Sequence, residues 1–206
     1  MSEILLLIFE IIGTVAFAVS GALLGLEKKM DILGISILGL TTAVGGGIIR
    51  DLVLGLTPPM TFRNPIYSVI AIVTSVFVFM IARKHSVFHG KWYDSIMLTM
   101  DSVGLGVFTV IGINTACAQD SQYSIFLLIF VGVVTGVGGG VVRDMMAGDP
   151  PYIFVKHFYA SASIIGALVC VAIWNVFGSV ASMFIGTAVV IILRLCAAKF
   201  RWSLPK

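Results

Sequence analysis

"GLTTAVGGGIIRDLVLG", residues 39–55, has a second copy in "GVVTGVGGGVVRDMMAG", residues 132–148. Both read G-x-x-T-x-x-G-G-G-x-x-R-D-x-x-x-G, and both run on to a proline pair, Pro58/Pro59 and Pro150/Pro151. The likeness extends in both directions. Upstream, Glu10, Phe17 and Gly21 recur at the same spacing as Asp101, Phe108 and Gly112; downstream, Tyr67 recurs as Tyr159. Whatever the first half of the chain builds, the second half builds again.

Composition names the solvent. Of 206 residues, 59% are hydrophobic and only 11% charged, and the mean hydropathy is +1.09, far more apolar than a water-facing surface allows. At about 20 residues per helical crossing, six or seven spans consume the chain and leave one membrane domain over 1–206. Apolar runs between charged or Pro/Gly punctuation predict seven transmembrane helices, near 4–26, 32–56, 64–82, 95–114, 123–147, 155–174 and 178–197. The first run, ILLLIFEIIGTVAFAVSGALLGL, lacks the basic lead and small-residue cleavage site of a signal peptide, so it reads as the first span. Cys117, Cys170 and Cys196 are scattered through apolar segments, which argues for small core side chains rather than a disulfide or zinc framework.

The net charge of +3 falls in short clusters between apolar runs, not along one face, so nucleic acid is not expected as a partner. Those clusters set topology instead. Lys28/Lys29, Arg83/Lys84/Lys91, Lys156 and Lys199/Arg201/Lys206 fall on one side, whereas the N-terminus and stretches 115–122 and 175–177 carry no Lys or Arg. The positive-inside rule puts the N-terminus outside and the C-terminus in the cytoplasm, with Arg63 as the exception. The repeats cover about 4–82 and 95–174, and 178–197 is an extra helix. Three spans is an odd number, so the second repeat enters the bilayer from the opposite side: the repeats are inverted, an arrangement that builds polar sites near the midplane of transporters and channels.

Ions inside the bilayer need partners or water, since each costs about 2.5–3.5 kcal/mol on insertion scales. At 1.5 Å per residue, Arg50 lies roughly 27 Å along span 2 and Glu10 roughly 10 Å into span 1, both in the outer half; Asp101 and Arg143 fall in the inner half. Glu10 is expected to face Arg50, and Asp101 to face Arg143, one charged constriction on each side of the glycines. Asp51 and Asp144, beside the arginines, either balance charge or cap helix ends. Structural ties between helices are the alternative reading of these ion networks.

Gly45–Gly47 and Gly138–Gly140 also have two readings. Small residues let membrane helices approach closely. Three in succession instead weaken a helix by roughly 1 kcal/mol each relative to alanine, and a kink or unwound turn in spans 2 and 5 is expected. Carbonyls released there, with the hydroxyls of Thr42 and Thr135, would offer oxygens to a dehydrating cation. GVGGGV lacks the third glycine and the preceding strand of a dinucleotide loop. His85 and His89 have metal-ligand spacing, but a solvated loop accounts for them. Nothing in the chain assembles a catalytic triad or paired carboxylates, so no enzyme is expected. Trp92 and Trp202, beside Lys91 and Arg201, are expected as interfacial anchors.

Two copies of G-G-G-x-x-R-D, each on the second span of a three-span repeat, together with a seventh span, resemble the prokaryotic members of the trimeric intracellular cation (TRIC) channel family over nearly the whole chain. Bacterial proteins with this domain have also carried the label of glycine transporter. The resemblance implies a homotrimer in the bacterial or archaeal plasma membrane. Each protomer would hold its own pore for potassium or sodium, lined by the second and fifth spans, kinked at Gly45–Gly47 and Gly138–Gly140, with Arg50 and Arg143 as basic pore residues. Partners would be a second and third copy of the chain, membrane lipids and monovalent cations. No cofactor is implied beyond the permeant ion and bound lipid. The competing function is a secondary transporter of a small amino acid such as glycine, Arg holding the carboxylate and Asp or Glu the ammonium.

Overall fold

A backbone in hydrocarbon has no water to bond, so long apolar segments satisfy themselves as helices. The computed structural model describes residues 3–84, 91–120, 123–155 and 158–202. It contains α1 (Glu3–Glu27), α2 (Ile32–Val53), α3 (Met60–Arg63), α4 (Ile66–Lys84), α5 (Lys91–Gln119), α6 (Ile125–Met146), α7 (Tyr152–Val155) and α8 (Tyr159–Phe200). Six of these are long and apolar enough to cross a membrane. His85 and His89, and Lys156 and Lys206 of the topology clusters, lie outside the described residues.

Local chemistry sets the helix ends. Asp31 Oδ1 accepts the Gly34 N–H at 2.7 Å to start α2, and Ser124 Oγ accepts the Leu127 N–H at 3.2 Å to start α6. Both helices stop at the last glycine of the repeated motif. Gly55 and Gly148 take φ of +72° and +75°, a conformation open to a residue without a Cβ. Leu56 N–H then bonds Asp51 C=O at 2.8 Å, and Asp149 N–H bonds Asp144 C=O at 2.9 Å, the Schellman closure of a helix C-terminus. The expected spans 32–56 and 123–147 therefore end slightly early, at Val53 and Met146.

Helix α8 has 42 residues, about 63 Å if straight and so twice the hydrocarbon thickness. It is not continuous. Gly178, at φ +75° and ψ 169°, breaks it into arms 159–177 and 179–200. The arms lie side by side: a Cβ on Gly166 would stand 3.1 Å from the Gly186 carbonyl oxygen and 2.2 Å from Val190 Cγ2.

At the centre, α1 and α2 pack on α5 and α6, with α4 outside the first pair and α8 outside the second. The contacts are reciprocal. A Cβ on Gly13 would meet the Phe108 ring at 3.1 Å, and one on its repeat counterpart Gly104 would meet the Phe17 ring at 2.0 Å. The Phe17 and Phe108 rings lie 5.3 Å apart between them. Residue 13 with 108 and 17 with 104 is an antiparallel register for α1 and α5.

The glycine triplets make the second such crossing. Cβ atoms on Gly46 and Gly139 would approach the Thr135 and Thr42 carbonyl oxygens, each to 2.1 Å. α2 and α6 remain helical throughout both triplets, so the unwound turn expected at Gly45–Gly47 and Gly138–Gly140 is absent. Close approach of the two backbones recovers the packing that the missing side chains forgo.

Candidate functional site: two charged layers

Each Arg-Asp pair sits in the last turn of its helix. Arg50 Nε donates to Asp51 Oδ1 at 2.8 Å, and Arg143 Nε donates to Asp144 Oδ1 at 2.8 Å. The second oxygen of each carboxylate accepts a backbone N–H from the short helix beyond the prolines: Met60 N to Asp51 Oδ2 at 2.7 Å, and Tyr152 N to Asp144 Oδ2 at 2.7 Å. Of the two roles open to these aspartates, both are filled at once, charge balance by one oxygen and capping by the other. The proline pair supplies the rigid turn, and Schellman closure at Gly55 or Gly148 aims it.

The tyrosines of the repeat complete each layer. Tyr67 O–H donates to Glu10, and Tyr159 O–H donates to Asp101 Oδ1 at 3.4 Å. Arg143 and Asp101 form the expected pair, Nη1 to Oδ1 at 2.7 Å. The other half differs. Among the described residues no ion pair within 4 Å joins Glu10 to Arg50; the two instead line one cavity of about 50 Å³ together with Thr14, Gly47, Thr61 and Tyr67. Glu10 bonds Tyr67, and Arg50 turns toward Asp51.

Burial separates the layers further. Asp101, Arg143 and Asp144 are each 0% exposed, whereas Arg50 is 9% exposed and borders the cavity. Arg143 is held by Asp101, by Asp144, by Ser20 Oγ accepting from Nη1 at 2.5 Å, and by the Tyr152 ring 4.8 Å from Cζ. Burial pushes the Tyr152 phenol up to about 12, against the pull of the Arg143 cation, so the ring stays neutral. Glu10 and Ser20 mark the two layers on α1, and ten residues of helix put them about 15 Å apart along its axis.

Between the layers stand the glycine crossing and the Phe17–Phe108 pair. Thr42 and Thr135 are fully buried there, and their hydroxyls donate to Leu38 C=O at 2.5 Å and Val131 C=O at 2.6 Å. They pack on Gly21 and Gly112 of the preceding helix. In this conformation helix hydrogen bonds and close packing occupy the carbonyls and threonine oxygens that were expected to face an ion.

Three participants escaped the sequence reading: Ser20, Tyr152 and Arg194. Arg194, on the second arm of α8, places Nη2 3.5 Å from Asp101 Oδ2 and its guanidinium 4.7 Å from the Tyr159 ring centre. Its signal was present, a single arginine within the apolar run of the seventh span.

Comparison with known proteins gives one answer. The model of a family described as Glycine transporter matches residues 7–83 and 98–175, the two repeats. The chain is 38% identical over 199 residues to the UPF0126 inner membrane protein YadS of Escherichia coli K12, covering 95% of this chain and 93% of that protein. It is 34% identical over 200 residues to YvgT of Bacillus subtilis, covering 96% and 94%. A solved TRIC cation channel shares 36% identity, with 97% of this chain and 95% of that one covered and a TM-score of 0.84. The TRIC orthologue of Rhodobacter sphaeroides shares 31% identity over 97% and 100%, with a TM-score of 0.88. With the duplicated motif, the layered charges and these whole-chain matches agreeing, the chain belongs to the prokaryotic TRIC family of membrane proteins.

Proposed function

We propose that the chain is a monovalent cation channel, passing potassium or sodium through a pore within each protomer of a homotrimer. The observation that carries this is the pairing of two equivalent charged layers about 15 Å apart along α1, one bordering a cavity and one sealed, with α2 and α6 crossing between them. Full burial of Asp101, Arg143 and Asp144 makes this a closed conformation. Conduction requires the inner layer to open and α2 and α6 to part or bend at Gly45–Gly47 and Gly138–Gly140, which would return helix oxygens to the ion. The similarity to solved TRIC channels supports the activity and the trimer.

In this reading the arms of α8 are two crossings, giving seven spans, and the antiparallel registers of α1 with α5 and α2 with α6 support inverted repeats. The N-terminus faces outward, the C-terminus faces the cytoplasm, and the membrane is the plasma membrane, in keeping with the inner-membrane naming of the Escherichia coli relative.

A second reading, uptake of a small amino acid such as glycine, is favoured by one feature: an anion, Glu10, and a cation, Arg50, line the same cavity. Reconstitution separates the two. Unitary currents in potassium salt without amino acid support the channel; saturable labelled-glycine uptake without such currents supports the transporter and overturns the channel.

A further inference from the structure

We infer that Arg194 sets the cation permeability of the inner layer, as a charge supplied from outside the repeat. Glu10, Asp51 and Arg50 of the outer layer carry a formal charge of −1. Their counterparts Asp101, Asp144 and Arg143 carry the same charge, and Arg194 brings the inner layer to zero. The repeat alone would make two cation-attracting layers; the seventh span cancels one of them.

The position of Arg194 is built. Met183, Gly186, Thr187, Val190, Arg194 and Ala197 form the buried stripe of the second α8 arm. A Cβ on Gly106 of α5 would stand 3.0 Å from the Thr187 carbonyl oxygen, so arm and helix approach closely just below the charge. Arg194 is 3% exposed rather than reaching out to the membrane surface, as long basic side chains near helix ends do. It stacks on Tyr159, the same ring whose hydroxyl contacts Asp101. It also lines a larger cavity, about 660 Å³, with Glu27, Tyr93, Asp94, Tyr152 and Arg201. An ion entering from that cavity meets the Arg194 guanidinium before Asp101. A like charge at such range raises the barrier to a cation and lowers it to an anion.

The inference rests on the channel reading, and the test keeps the two apart. Purified full-length protein is reconstituted in liposomes, and potassium flux and the potassium-to-chloride permeability ratio are measured for wild type, Arg194→Gln and Arg194→Lys. Arg194→Gln is expected to raise potassium flux roughly tenfold, the effect of lowering the barrier by about 1.4 kcal/mol, and to raise the permeability ratio. Arg194→Lys, which keeps charge but not the planar stack on Tyr159, is expected to stay near wild type in permeability ratio. A purely structural tie would weaken thermal stability in both variants and leave the ratio unchanged, and that result overturns the inference. If Arg194→Gln does not fold, Asp101→Glu with Arg194 intact supplies the readout: it keeps the layer neutral, so a permeability ratio moved as far as a net-charge change would move it contradicts the proposal. Absence of flux in wild type defeats the channel reading itself.

Discussion

Gly46 and Gly139 meet at the crossing of α2 and α6, each so close to the other helix that a Cβ would reach to 2.1 Å from a carbonyl oxygen of Thr135 or Thr42. Neighbours in the first triplet are roomy: a Cβ on Gly47 meets only the Arg50 tip at 3.8 Å, and one on Gly45 meets nothing nearer than 3.6 Å. Gly139→Ala and Gly46→Ala are therefore expected to destabilise by about 1–3 kcal/mol, since backbone must move to admit the methyl group. Gly47→Ala is expected to be neutral or to stabilise by up to about 1 kcal/mol through helix propensity. Thermal unfolding in detergent checks this; equal shifts for Gly47 and Gly139 would contradict the crossing.

The two acidic repeat positions should differ in the same assay. Asp101→Asn leaves Arg143 and Arg194 sealed with only Asp144 to balance them, a loss of about 3–5 kcal/mol. Glu10→Gln, beside a cavity and, among the described residues, outside any ion pair within 4 Å, is expected to cost no more than about 1 kcal/mol. Matching losses would mean that the outer layer is as closed as the inner one.

Gly178→Ala tests the fold of α8. A side chain at φ +75° and ψ 169° enters a region essentially reserved for glycine, at about 1–3 kcal/mol. Protease accessibility and unfolding midpoint of the purified protein report it. A variant as stable as wild type would mean that the two arms do not depend on this backbone conformation.

Arg50→Ala removes the cation from the outer layer and leaves Glu10 and Asp51. Larger single-channel potassium current or altered open probability is the expected outcome. Unchanged records would take the outer layer out of the ion's path.

The all-helical, membrane-spanning character was legible because hydropathy is local, whereas the stops of α2 and α6 depend on the backbone conformation of Gly55 and Gly148. The triplets misled for a definite reason. Glycine propensity describes an isolated helix, and close crossing of α2 with α6 overrode it; the packing alternative visible in the same residues was the one realised here. Asp101 with Arg143 was readable from depth alone, whereas for Glu10 and Arg50 depth did not decide, since Tyr67 on α4 takes up Glu10 and the adjacent Asp51 takes up Arg50. The short helices α3 and α7 have too few residues for periodicity, though the proline pairs marked where they begin. Arg194 obeyed the rule that flagged Arg50, a charge within an apolar span, but without a repeat counterpart nothing in the motif pointed to it.

One carboxylate in each layer serves two masters. Asp144 grips the Arg143 guanidinium with one oxygen and the first amide of α7 with the other, and Asp51 does the same for Arg50 and α3. The arginine and the loop helix are thus mechanically joined, with no slack between them. Neither loop helix can shift without breaking its bond to the carboxylate or moving that carboxylate, and with it the guanidinium. Each connecting loop is therefore coupled to the charged layer it adjoins.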